Sequence, residues 1–294
     1  MIVSHPLGEE SPLSSAAPPI VSVGLPTGVE RAMIIAAHPD DIEAFVGGTV
    51  ATLTREGVEV TYVIATHGEA GVGDPGVPTW EVRETRAAEQ EQAAEMLGVQ
   101  RVVWLGGPTE TVVHDGEVTD TLELRLSLVR LIRVHRPDLV VTFDPLCFVD
   151  GTYLNHPDHR AVGAAAVAAI WPSAANPRYH EELLGEGLEP HVVLELWLML
   201  TRAGSHAVDI GACVDLKARA LAAHATQLGD PVAVHRRVLY AAASAGGSGA
   251  PDLAERFERV RSNATGEDPL ALPAGELDAV TTVNEQPVAA GPRP

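Results

Sequence analysis

Short apolar runs alternate with longer amphipathic stretches through the middle of the chain, and the alternation predicts the elements. Ala32 to Ala37 is an apolar run followed by a helix from about Glu43 to Glu56, and Val58 to Ala65 reads as the second strand. Glu81 to Leu97 predicts a helix closed by Gly98, and Val102 to Leu105 a third strand. Leu122 to His135 predicts a helix ended by Arg136-Pro137, then a fourth strand over Leu139 to Phe143 and an alanine-rich helix over Asp158 to Ile170. Val192 to Leu200 reads as a fifth strand, Ala207 to Ile210 as a short sixth, and Cys213 to Gln227 as a helix. Brief apolar runs between helices signal strands buried on both faces. The expected fold is therefore α/β: a Rossmann-like, doubly wound, mostly parallel sheet with helices on both faces.

The ends break this pattern. Residues 1–30 are rich in Pro, Ser and Gly without a period, and residues 263–294 repeat that character with more acid. Both read as poorly ordered tails around a single α/β domain over residues 31–262.

Topology gives two short polar clusters their interest. His38-Pro39-Asp40-Asp41 follows the first strand, and His156-Pro157-Asp158-His159 follows the fourth. In the common doubly wound order these strands are neighbours, the chain reverses direction between them, and ligands bind in the crevice beyond their carboxyl ends. Imidazole and carboxylate suit a borderline metal such as zinc where no thiolate is offered, and a catalytic zinc keeps three protein ligands and one open position. His38, Asp41 and His159 can supply the three. Two His and one Asp suit Fe(II) or Co(II) as well as zinc. Asp40, between two ligands, is placed as general base; His156 as acid or oxyanion partner; Asp158 as the carboxylate that holds the His156 imidazole. Taken singly, either run is also a turn with an Asp helix cap.

Ala37-His38-Pro39-Asp40-Asp41-Ile42-Glu43, Gly47-Gly48-Thr49 and Asn155-His156-Pro157-Asp158-His159-Arg160 resemble the signature blocks of the PIG-L/LmbE-like de-N-acetylases. Lesser matches are Gly68-Glu69 with Gly71, Arg86 with Ala87-Ala88-Glu89, Leu97-Gly98-Val99, Arg136-Pro137-Asp138, and a late block from Lys217-Ala218 to His224-Ala225-Thr226-Gln227. The resemblance runs from about Arg31 to Gly229. It implies zinc-dependent removal of acetyl groups from N-acetylglucosamine-type sugars or glycoconjugates, with the ligands and base named above. It further implies that Arg86 contacts sugar hydroxyls and that Asp115, in Asp115-Gly116, lies on the substrate side. Some relatives carry a tyrosine two residues before the first histidine of the second block. Leu154 stands there in this chain, with Tyr153 one step earlier as the candidate substitute.

Charge and composition narrow the partners. Lys+Arg 20 against Asp+Glu 40 gives a net charge of -20, which argues against nucleic acid or an anionic membrane as partner. No stretch reaches the length of a membrane span, and the amino terminus lacks a signal-peptide pattern. Cys147 and Cys213, far apart in apolar surroundings, read as buried free thiols in preference to the alternative of a disulfide, which points to a cytoplasmic location. A small acetylated sugar is the expected partner. The apolar region around Trp171 and Val192 to Leu200 serves a core or a contact in a homo-oligomer.

Two rivals share these residues. One is an amidase acting on a thiol conjugate or an N-acyl natural-product intermediate. The other is a non-catalytic sugar or nucleotide binder, against which stands the lack of a Gly-x-Gly-x-x-Gly run after the first strand. Specificity is expected in the loops Gly71 to Trp80, Gly106 to Thr121 and Trp171 to Glu189.

Overall fold

A computed structural model of the chain describes residues 18–105, 113–151, 153–246 and 249–261. Its elements run β1 (Ser22–Val23), β2 (Arg31–Ala36), α1 (Asp41–Arg55), β3 (Glu59–Ile64), α2 (Thr79–Met96), β4 (Arg101–Trp104), α3 (Leu122–His135) and β5 (Leu139–Phe143). A small hairpin, β6 (Val149–Asp150) and β7 (Tyr153–Leu154), then precedes α4 (Pro157–Ala168) and the short α5 (Glu182–Gly185). The chain continues through β8 (Glu195–Met199), β9 (His206–Asp209), α6 (Val214–Ala222), α7 (Ala225–Leu228), α8 (Pro231–Ala245) and β10 (Ala254–Arg261).

Eight strands form one sheet in the order β1-β9-β10-β8-β5-β2-β3-β4. From β4 to β8 every pairing is parallel, with Ile34 opposite Tyr62 on one side and Val141 on the other, and Val141 opposite Trp197. The central strands β5 and β8 are buried along their whole length, as helices on both faces require. After β2 the chain winds outward to β3 and β4; after β5 it winds the other way to β8. The crevice expected between the first and fourth predicted strands therefore opens between β2 and β5.

Local chemistry places the ends of these elements. Thr121 caps α3 by accepting the Leu124 N–H at 3.1 Å, and Arg136 leaves that helix in the left-handed region ahead of Pro137. Asp138 ties the starts of two parallel strands together, its Oδ2 accepting the backbone N–H groups of Glu30 and Arg31, both at 3.0 Å. Helix α4 lies so close on β5 that a Cβ at Gly163 would run into the Phe143 carbonyl oxygen.

The structure departs from the sequence reading in several places. Part of the stretch read as an amino-terminal tail is ordered into β1, which pairs with β9. The helix expected over Cys213 to Gln227 is two helices, broken where Ala223 and His224 turn. Strand β10, which the sequence reading did not foresee, runs antiparallel between β8 and β9. Residues 1–17 of one expected tail, the whole of the other, and residues 106–112 of an expected specificity loop lie outside the described residues. Cys147 and Cys213 are buried and not bonded to each other. Among the described residues no helix is long and apolar enough to cross a membrane.

Candidate metal centre

The two clusters meet at the carboxyl ends of β2 and β5. His38 lies in the turn between β2 and α1, Asp41 is the first residue of α1, and His159 lies in the first turn of α4. One ligand atom from each of His38, Asp41 and His159 falls within 4.8 Å of the others, and all three residues are buried.

The supporting contacts decide which atoms are free. Asp41 Oδ2 accepts the backbone N–H of His38 at 2.8 Å and of Ala37 at 3.2 Å, while Oδ1 lies 3.1 Å from His159 Nε2. His159 Nδ1 lies 2.8 Å from Asn155 Oδ1, which assigns the ring proton to Nδ1 and leaves Nε2 as a donor to a cation. The ring is stacked on Phe143, with centroids 4.0 Å apart and 4° between planes. Two imidazoles and a carboxylate, oriented by their second atoms, fit a zinc-type ion with an open position.

Electrostatics agree. Burial alone would raise the Asp41 carboxyl, but His159 and His38 overturn it and hold the pKa well below the ordinary range. For His38 burial opposes protonation, yet hydrogen bonding to Asp115, Asp158 and Asp41 lifts the pKa well above the usual value.

Asp40 stands beside this set. It precedes α1 in the left-handed region at φ 84°, and its Oδ2 receives Arg86 Nη2 at 3.0 Å. Burial first, then the Asp41 charge, push its pKa up to about 6, against the opposing pull of Arg86, His224 and His38. His156 caps α4, accepting the Asp158 N–H on Nδ1 at 3.3 Å, and packs edge-on against His38 with centroids 4.7 Å apart. Its side chain is 39% exposed, and burial followed by the His38 charge lowers its pKa. With Nδ1 accepting that N–H, a proton on the ring lies on Nε2, facing away from the cap.

Other expected residues take more varied places. Asp158 is fully buried; its carboxylate accepts the N–H groups of Gly116 at 2.7 Å and Val118 at 3.2 Å, and lies 3.2 Å from His38 Nε2. It is 3.9 Å from His156 Nδ1, so it braces His38 and the loop before α3 more closely than His156. Asp115 Oδ1 lies 3.1 Å from His38 Nε2, and atoms of His38, Asp115 and His156 also gather within 4.8 Å of one another. Tyr153, on β7, is 45% exposed; burial and then the Asp41 charge raise its pKa, which puts it within electrostatic reach of the centre. Leu154 points into solvent at 76% exposure. Arg86, expected to meet sugar hydroxyls, is 3% exposed and donates to the Gly68 carbonyl, to Pro39 O at 2.8 Å and to Asp40.

Two contributors carried no role in the sequence reading. Asn155 orients His159, a duty hinted at only by its position four residues earlier at a helix entry. Gln90 accepts the Asp40 N–H at 3.1 Å. Its signal was a polar member inside the buried stripe Val82, Arg86, Gln90 and Ala93 of α2.

With this geometry in hand, known proteins can be set beside it. Residues 33–170 match the family described as GlcNAc-PI de-N-acetylase, PIG-L. The chain is 32% identical over 204 residues to diacetylchitobiose deacetylase of Thermococcus kodakarensis, covering 69% of this chain and 72% of that one. It is 30% identical over 234 residues to 1D-myo-inositol 2-acetamido-2-deoxy-alpha-D-glucopyranoside deacetylase of Mycobacteroides abscessus, covering 67% and 81% respectively. The structure of N,N'-diacetylchitobiose deacetylase from Pyrococcus horikoshii superposes with a TM-score of 0.73 at 28% identity, over 83% of this chain and 88% of that one. By matched blocks, fold and relatives, this chain belongs to the PIG-L de-N-acetylase family.

Proposed function

We propose that the chain hydrolyses the acetamide of an N-acetylglucosamine-type sugar or glycoconjugate, releasing acetate and a free amine. The observation that carries this reading is a half-buried carboxylate, Asp40, set directly beside a complete His38-Asp41-His159 ligand group. Zinc is the proposed metal; held by those three residues it would polarise the acetamide carbonyl and acidify the attacking water.

The chain's own groups handle protons and position. Asp40, raised to about 6, takes the proton of the attacking water, since a base works best with a pKa near the operating pH. The same proton is then available to the departing nitrogen. Arg86 keeps the Asp40 carboxylate turned toward the centre. His156, more exposed than the ligands, offers its Nε2–H to the oxygen on which charge develops. Asp115 and Tyr153 are proposed to border the sugar.

The test is free-amine release from N-acetylglucosamine, diacetylchitobiose, an N-acetylglucosaminyl inositol and longer N-acyl analogues of each, with zinc-loaded wild type beside Asp40→Asn. Release that needs both metal and Asp40 is expected. Turnover only of longer N-acyl chains would replace the acetyl substrate by another amide, and retained activity in Asp40→Asn would remove Asp40 as base. Parallel loading with Fe(II) and Co(II) tests the choice of metal.

A further inference from the structure

We propose that Gln90 is a positioning residue for Asp40, itself locked by the buried Glu43–His224 pair; its effect on turnover rests on the deacetylase reading. Asp40 adopts φ 84°, a left-handed conformation that aspartate visits more readily than most residues but still at a cost of roughly 1 kcal/mol, so its neighbours must hold it there. Arg86 and Gln90 lie one helical turn apart on the same face of α2, and they hold different parts of this one residue. Arg86 grips the Asp40 carboxylate and the Pro39 carbonyl, while Gln90 Oε1 accepts the Asp40 N–H.

The amide of Gln90 has one workable orientation. Its Nε2 donates to Glu43 Oε1 at 3.0 Å, so a flip would turn the amide oxygen onto a carboxylate and its nitrogen onto a backbone donor. The second oxygen of Glu43 lies 3.2 Å from His224 Nε2. Gln90, Glu43 and His224 are all fully buried. Both polar atoms of the Gln90 amide are paired and Glu43 is held between Gln90 and His224, which fixes the amide, although His224 Nδ1 has no hydrogen-bond partner among the described residues. None of the three contributes to the ligand groups, and none reaches the surface. Among the described residues, the hydrogen-bonded chain Gln90–Glu43–His224 meets the reactive cluster at the Asp40 N–H. This gives Glu43 and His224, present in the motif blocks without an assigned part in the chemistry, a common purpose.

The experiment uses Gln90→Met, which keeps the side-chain length and removes both polar atoms, alone and combined with Asp40→Asn. The single variant is expected to lose about ten- to a hundredfold in kcat, with KM and zinc stoichiometry unchanged. In the Asp40→Asn background Gln90→Met is expected to cost nothing further, because it acts through the missing carboxylate. Amide exchange is the readout free of catalysis: the Asp40 N–H of metal-free protein should be protected in wild type and open in Gln90→Met. Unchanged kcat, equal losses in both backgrounds, or unchanged exchange at Asp40 each overturn the proposal. Should wild type release no amine while Gln90→Met still exposes the Asp40 N–H, the positioning stands and the deacetylase reading falls. If Gln90→Met does not fold, wild type alone decides, since an unprotected Asp40 N–H overturns the proposal.

Discussion

Asp41 divides its carboxylate between two tasks: Oδ2 accepts the His38 backbone N–H at 2.8 Å, while Oδ1 lies 3.1 Å from His159 Nε2. One residue thereby closes the turn after β2 and joins it to α4. Contacts within the fold bring the ligand group together, and these supporting contacts are open to measurement.

Asn155 is the first of these. Its Oδ1 holds His159 Nδ1 at 2.8 Å, and its Nδ2 is anchored on the Cys147 carbonyl at 2.7 Å. Asn155→Leu is expected to weaken zinc binding by roughly ten- to a hundredfold, as loss of an outer partner commonly does. Competition with a chromogenic chelator reads this directly, and wild-type affinity would remove Asn155 from the support of the site.

The protonation of His38 predicts a pH dependence of metal binding. Its pKa in the metal-free protein is raised well above the usual imidazole value, so the ring carries a proton at neutral pH. A metal ligand must be deprotonated. Zinc binding should therefore release protons, and affinity should weaken as the pH falls. Calorimetry in buffers of different ionisation enthalpy measures the release, and pH-independent affinity between pH 6 and 8 (a window of about one unit either side of neutral) would refute it.

Turnover should separate base from ligands. Asp40→Asn is expected to keep stoichiometric zinc and lose about 10²- to 10⁴-fold in kcat, the usual range for a lost general base. His159→Ala should instead lose the metal on dialysis. Asparagine is the fair replacement at position 40, because it tolerates the left-handed backbone.

A stability test lies far from the site. Burial would raise the Glu195 carboxyl, but hydrogen bonds from Arg259 at 2.8 and 2.6 Å outweigh it and lower the pKa. The stabilisation is then complete above the ordinary carboxylate value and is lost as pH falls through the depressed folded value. Denaturant midpoints should drop less steeply with acid in Glu195→Gln than in wild type. Identical slopes would show that the pair contributes nothing on this edge of β8.

Much of this was legible in the chain. Apolar runs such as Leu139–Phe143 are buried on both faces, so they announce themselves without help from distant contacts. The helix over Leu122 to His135 carries its own cap and stop, and its limits are those expected. The adjacency of β2 and β5 followed from winding order, and with it the meeting of His38 and His159. Strand β10 did not declare itself, because its register of Glu255, Arg256, Glu258 and Arg259 is charged. Two of those charges are matched from elsewhere: Lys217 pairs with Glu255 and Glu195 with Arg259. The fate of Arg86 was hidden for a related reason. A guanidinium at a helix position says nothing about whether sugar or the Gly68 and Pro39 carbonyls will satisfy it. The helix over Cys213 to Gln227 broke at His224, whose ring sits against Glu43 far away in sequence.

The insertion of β10 between β8 and β9 has a consequence for the order of synthesis. Its Glu255 accepts the N–H groups of Gly48 at 2.9 Å and Thr49 at 2.7 Å within α1, the helix that begins at Asp41. A nascent chain still lacking residues 254–261 has made both halves of the metal centre, yet leaves the facing edges of β8 and β9 unpaired and α1 without the Glu255 contacts. The ribosome thus delivers the metal ligands before the strand that completes the sheet beside them.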